Sequence, residues 1–300
     1  MNKLISELER LYFLDNQEWQ SEEPGEGGDT SDPAVGILTQ EVVAESLAGR
    51  RSVALNPVSA TGLVRAMVIS FATARDWEQV ASLYRAVQDE LDLPAPALSI
   101  SGRQGYRLWF SLAAPVPVAQ AWGFLDALRH QYLPDITAAN LQVRPGSAKL
   151  ISAVPRLIAL APARHGATGK WSAFIEPSLG AMFVDAPGLE MAPNMDRQAD
   201  ILASLKSIKA GDFQRALATL KAPDEAAAKP ERAPGERAAS LPSETATPPG
   251  AGHAPATLKV GSHYSDPQSF LLAVMNDPSA SARQRIKAAK ALLPYFAKDV

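Results

Sequence analysis

Residues 99–110 read Ser99-Ile100-Ser101-Gly102-Arg103-Gln104-Gly105-Tyr106-Arg107-Leu108-Trp109-Phe110. Apolar residues run into a Ser-Gly pair, a second glycine follows three positions later, and an aliphatic and aromatic run then resumes. This is the pattern of a strand, a tight turn and a second strand. From Tyr106 the residues alternate. Tyr106, Leu108, Phe110 and Leu112 fall on one face of the strand, and Arg107, Trp109 and Ser111 fall on the other. A fixed cation beside an aromatic plane suits a phosphate and a base. Each of these residues also has an alternative that packing alone allows. Trp109 would lie under a helix layer, Arg107 would pair with a carboxylate such as Asp126, and Ser101 would only cap its turn.

Working outward, Met67-Val68-Ile69-Ser70-Phe71-Ala72 is a hydrophobic run of strand length. The expected strands are 66–71, 97–101, 106–112, 149–152, 156–160, 171–175 and 181–184. Helices are expected at 77–91, with Val80, Leu83, Tyr84, Val87 and Leu91 on one face, and at 118–131. A third, at 195–208, would turn Ile201, Leu202, Leu205 and Ile208 inward. Shorter helices are expected at 2–13 and 39–48. Helices and strands mixed in this order, with several hairpin-length connections, predict an α+β fold: a mixed or antiparallel sheet with packed helices.

The expected organisation has four parts. Residues 1–49 hold N-terminal helices and an acidic segment, and residues 50–215 form the core domain. Residues 221–262 are rich in Ala, Pro, Glu and Ser, with little to bury, and read as a disordered linker. Residues 263–300 read as a helical hairpin. Asp266 and Pro267 open its first helix, and Asn276-Asp277-Pro278 breaks the chain before the second. Phe270 lies on the apolar seam, while Arg283, Lys287 and Lys290 form a basic stripe, so these four are the candidate partner-binding residues. About 36 residues are too few for a secure independent core.

The net charge of −3 hides an asymmetry. Residues 1–47 carry Lys3 and Arg10 against eleven acids, a net of −9, whereas residues 101–171 carry eight bases against Asp126 and Asp135, a net of +6. A basic middle section points to an anionic partner, and a solvated surface balancing an acidic end is the alternative. There is no cysteine, which excludes disulfides and thiolate zinc sites. The four histidines are scattered without ligand spacing, and no run of about 18 apolar residues is present. A cytoplasmic protein with no membrane partner is expected. The stretch His165-Gly166-Ala167-Thr168-Gly169-Lys170 has the Gly-Lys of a phosphate-binding P-loop. It lacks that motif's first glycine, and Trp171 stands where a Ser or Thr would bind Mg²⁺, so a hairpin loop is expected. Residues 143–149 read as a second basic turn.

The 99–110 stretch resembles the central motif of the archaeo-eukaryotic primase superfamily, in which a Ser-Gly turn, a further Gly and a His-bearing strand with a nearby aromatic recur. Ser101, Gly102, Gly105 and Trp109 match, and Arg107 stands at the nucleotide-binding His. The resemblance extends more loosely over residues 67–186. It implies a pair of metal-binding Asp residues on the upstream strand, but those positions carry Ser70 and Ala72, and the third acid has no counterpart. Asp76 lies close by with the spacing of an N-cap to the following helix. The implied protein has a primase-like core without its metal site: no catalytic residue, no metal and no cofactor. The implied partner is nucleic acid, DNA ahead of RNA, or a nucleotide, in replication or in the biology of a mobile element. Ser101, Arg103, Arg107, Arg144, Lys149, Arg164, His165 and Lys170 would bind it, with Trp109 stacking a base. Two alternatives stay open. One is an active primase or nucleotidyltransferase with other acids as metal ligands. The other is a non-enzymatic assembly or regulatory protein acting through its C-terminal helices.

Overall fold

The computed structural model describes residues 1–21, 34–147, 157–227 and 271–273. The chain divides into two compact units, Met1–Glu231 and Arg232–Val300. The first holds an α+β fold with two antiparallel sheets. Of the second, the described residues 271–273 are helical, within the segment where the first C-terminal helix was expected. Phe270, Arg283, Lys287, Lys290 and nearly all of the expected linker lie outside the described residues, as does Lys149.

The larger sheet is built from β4 (Leu63–Phe71), β5 (Ala97–Ile100), β6 (Tyr106–Pro117), β7 (Leu141–Arg144) and β9 (Ala173–Ile175), in the order β7-β4-β6-β5-β9. The alternation read from β6 decides its two faces. Tyr106, Leu108, Phe110 and Leu112 enter one core with Met67, Ile69 and Phe71 of β4. The helices α3 (Trp77–Asp89), α4 (Val118–Tyr132) and α6 (Ala210–Ala227) cover that side, through residues such as Leu83, Phe124 and Phe213. Trp109 and Val68 enter a second core on the other side, under α1 (Asn2–Tyr12) and α5 (Met195–Ala203). Burial of apolar stripes from both sides is what makes this sheet the centre of the unit.

The smaller sheet runs β2-β1-β3-β8, from β1 (Glu18–Ser21), β2 (Val35–Ile37), β3 (Val53–Leu55) and β8 (Ile158–Ala159). It joins the second core through Trp19, Val53, Leu55 and Ile158. The helix α2 (Gln40–Leu47) adds Val43 and Leu47, with Thr39 Oγ1 accepting from the Val42 amide at its N-terminus.

Several sequence expectations are corrected. The N-terminal helices are not a separate part, because the apolar stripe of α1 (Leu4, Ile5, Leu8, Leu11, Tyr12) is covered by the main sheet and α5. Arg65 ties α1 down, donating to the carbonyls of Phe13 at 3.2 Å and Arg10 at 2.7 Å. Residues 181–184 are not a strand. Pro177–Phe183 winds as a 3₁₀ helix, with Pro177 in its first turn and Gly180 pressed against the Trp77 ring. The expected helix 195–208 stops at Ala203, because Leu202 and Ile208 belong to opposite cores. Between them the chain crosses the sheet, and Ile208 bridges in parallel to Leu112. Of the basic turn expected at 143–149, Val143 and Arg144 belong instead to the edge strand β7, and the core continues past residue 215 along α6.

Gln198 finishes the opposite edge of the large sheet. It is buried, it accepts from the Phe174 amide at 2.7 Å and it donates to the Phe174 carbonyl at 2.9 Å, taking the place of a missing neighbour strand. Gln198→Leu strands both backbone groups of Phe174 and is expected to cost about 1–3 kcal/mol, read as a lower denaturation midpoint in urea.

Candidate functional site: an arginine-lined cleft

The second face of the large sheet is covered along only part of its length. Cross-strand pairs define its rows. One row runs Gln142, Ser70, Arg107, Ser99, Phe174, and the adjacent row runs Arg144, Val68, Trp109, Ala97. Over Trp109, Ala97 and Phe174 the helices α1 and α5 close the surface. Over Ser70, Arg107, Gln142 and Arg144 a cleft of about 280 Å³ remains. The Ser101 turn and the 157–159 segment also wall it, with His165.

The turn is held from within and from outside. Ser101 Oγ accepts from three successive amides, those of Arg103, Gln104 and Gly105, at 3.0–3.1 Å. Capping therefore is part of what Ser101 does. Gly102 has φ +75°, a left-handed conformation open to glycine, and its carbonyl accepts from Thr168 Oγ1 at 2.7 Å. A Cβ on Gly105 would lie 2.1 Å from the Phe71 carbonyl oxygen, so glycine there lets the turn close against the end of β4.

Among the described residues, three arginines line the cleft. Arg103 is exposed on the turn. Arg107 donates to the Ala159 carbonyl at 3.1 Å, not to Asp126, which pairs with Arg129 on the far side of the sheet. Arg144 donates to the Leu157 carbonyl at 3.3 Å and to Gln142 Oε1 at 3.2 Å. The short segment 157–159 thus steadies two guanidinium groups. His165 is half-buried, and its Nδ1 has no hydrogen-bond partner among the described residues. No carboxylate is among the described lining residues. Ser70 and Ala72 do line the cleft, at the end of β4. Asp76 occupies the N-cap position of α3 but makes no side-chain cap bond. Burial raises its pKa, and it does not line the cleft. No group of three or more metal-ligating side chains occurs among the described residues.

The expected site residues therefore separate. Ser101, Arg103, Arg107, Arg144 and His165 come together. Trp109 does not join them: it is 2% exposed, its ring contacts Tyr12 and Phe174, and its Nε1 donates to buried Ser99 Oγ at 2.9 Å. The base-stacking role read for it is corrected, since neither ring face is open. Arg164 and Lys170 lie outside the cleft wall. Arg164 donates to the Gly169 carbonyl, and Lys170 Nζ meets Glu190 at 2.9 Å. The loop between them is the expected hairpin turn, closed by the antiparallel bridge of Arg164 with Trp171 and by the His165 amide on the Lys170 carbonyl at 2.8 Å. Sequence reading missed Gln142 and Gln104, both exposed in the cleft wall. The alternation of Leu141, Gln142, Val143 and Arg144 was the available signal for the first.

No family model matches this chain, and no curated protein matches it. Among solved structures, the AEP domain of the cyanophage S-2L primase-polymerase (PrimPol) is similar, with a TM-score of 0.39 at 13% identity. The match covers 67% of this chain and 97% of that one. Among the described residues, no helix is long and apolar enough to cross a membrane.

Proposed function

We propose that this chain is a primase-like protein that binds nucleic acid or nucleotide through phosphate groups and does not itself transfer nucleotides. The observation that carries this reading is the make-up of the cleft wall, where Arg103, Arg107, Arg144 and His165 meet a serine-capped turn and none of the described lining residues is an acid. The sequence 148–156 contains no Asp or Glu and carries Lys149 and Arg156, so the stretch between Arg144 and Leu157 in the chain is basic as well. Guanidinium forks match phosphate oxygens in geometry and charge. Phosphoryl transfer through two metal ions needs carboxylates to hold them, and Ser70 and Ala72 supply none. The resemblance of the Ser101–Gly105 turn to the primase motif supports the same reading, with DNA as the first ligand to test.

Electrophoretic binding to single-stranded, double-stranded and primer-template DNA tests it. Affinity should fall by about 0.9 log units per tenfold rise in salt for each duplex phosphate neutralised. Arg107→Ala should weaken binding more than Arg129→Ala, whose side chain pairs with Asp126 on α4 behind the sheet. Equal effects of the two would remove the case for this cleft. In the same preparations no primer should be made or extended with any NTP or dNTP and Mg²⁺ or Mn²⁺. Template-dependent incorporation that survives stringent purification and disappears in Asp76→Asn would show an active enzyme instead.

A further inference from the structure

We propose that the cleft binds polyphosphate without a divalent cation, its arginines supplying the positive charge a metal would otherwise bring. This inference rests on the phosphate-binding reading above. Arg107 and Arg144 stand on the two strands that flank β4, opposite Ser70 and Val68 respectively. Strand geometry puts their Cα atoms roughly 12 Å apart on one sheet face, a gap that two arginine side chains span around an anion. Both guanidinium groups donate to carbonyls of a single segment, at Leu157 and Ala159, so they are positioned before any ligand arrives. Arg103 comes from the third wall, the serine-capped turn.

The oxygens facing this space belong to hydroxyls, amides and backbone, with no carboxylate among the described lining residues. Mg²⁺ sheds water reluctantly and is usually held by one or two carboxylates together with phosphates. Here it would have to be held by the ligand alone. A metal riding on the ligand would also neutralise the charge that the guanidinium groups read. Divalent cation should therefore compete with the protein for the phosphates rather than assist it.

Isothermal titration of the full-length protein with inorganic tripolyphosphate, in EDTA and in excess Mg²⁺, separates the possibilities. The expected result is saturable binding in EDTA that weakens in excess Mg²⁺; binding that Mg²⁺ tightens would overturn the metal-free inference. Arg103→Ala, an exposed change that leaves the melting temperature alone, should weaken the EDTA titration by about tenfold. Binding that appears only with Mg²⁺ would overturn the metal-free inference and leave the phosphate reading standing. No binding in either condition, to tripolyphosphate or to DNA, would overturn both.

Discussion

Trp109→Ala should lower the free energy of unfolding by about 3–5 kcal/mol, among the largest single-site losses in this chain. The indole sits 5.4 Å from the Tyr12 ring and 5.8 Å from Phe174, between the sheet and α1. Truncation opens a cavity there and also strips Ser99 Oγ of the indole N–H it accepts. Trp109→Phe keeps most of the apolar volume and loses mainly that hydrogen bond. It should be clearly milder in urea denaturation and should leave DNA affinity unchanged at temperatures where the variant is folded. The reverse pattern, with stability kept and binding lost, would put the indole on the ligand after all.

The same residue marks where the sequence stopped being informative. Period-2 alternation in 106–112 separated the two faces of β6 correctly, because side chains of a strand must point to opposite sides. Alternation cannot say what covers each face. Arg107 and Trp109 share one face two residues apart, yet one lines the cleft and the other is sealed under α1. That division is set by a helix almost a hundred residues upstream. Its apolar stripe from Leu4 to Tyr12 was legible as a helix, and the surface it needed was not. The helix expected at 195–208 failed for a related reason. Leu202 and Ile208 both read as inward, but inward means opposite sides of the sheet for the two. The strands at 35–37 and 53–55 are three residues long, too short for any period to show. For the site, the turn chemistry of Ser101, Gly102 and Gly105 was local and therefore legible. Lys170 was misplaced because its partner, Glu190, lies twenty residues away in a loop with no pattern of its own.

Gly105→Ala should be as damaging to the site as Trp109→Ala is to the core, while Gly123→Ala, the same chemical change, should stabilise the protein. At Gly105 the added Cβ would fall 2.1 Å from the Phe71 carbonyl oxygen and 3.2 Å from the Thr73 carbonyl carbon, both backbone atoms that no rotamer change can clear. Either the 101–105 turn lifts away or the end of β4 gives. Forced overpacking of this kind costs about 3 kcal/mol. The movement is not neutral for the cleft, because Ser101, Arg103 and Gln104 form one of its walls, and Ser70 lies on the strand that would be pushed and Ala72 just past its end. DNA and tripolyphosphate affinity should fall with stability, even in molecules that remain folded. Gly123 is inside α4, and nothing lies within 4 Å of a Cβ built there. Alanine at that point should add about 0.5–1 kcal/mol by removing the helix penalty of glycine. Binding should not change, since α4 packs on the face of the sheet away from the cleft. Thermal melts of the two variants beside the parent, followed by titration with DNA, give the comparison. If Gly105→Ala melts with the parent and binds like it, the turn does not need its close approach to Phe71, and its place as a rigid wall of the site is lost.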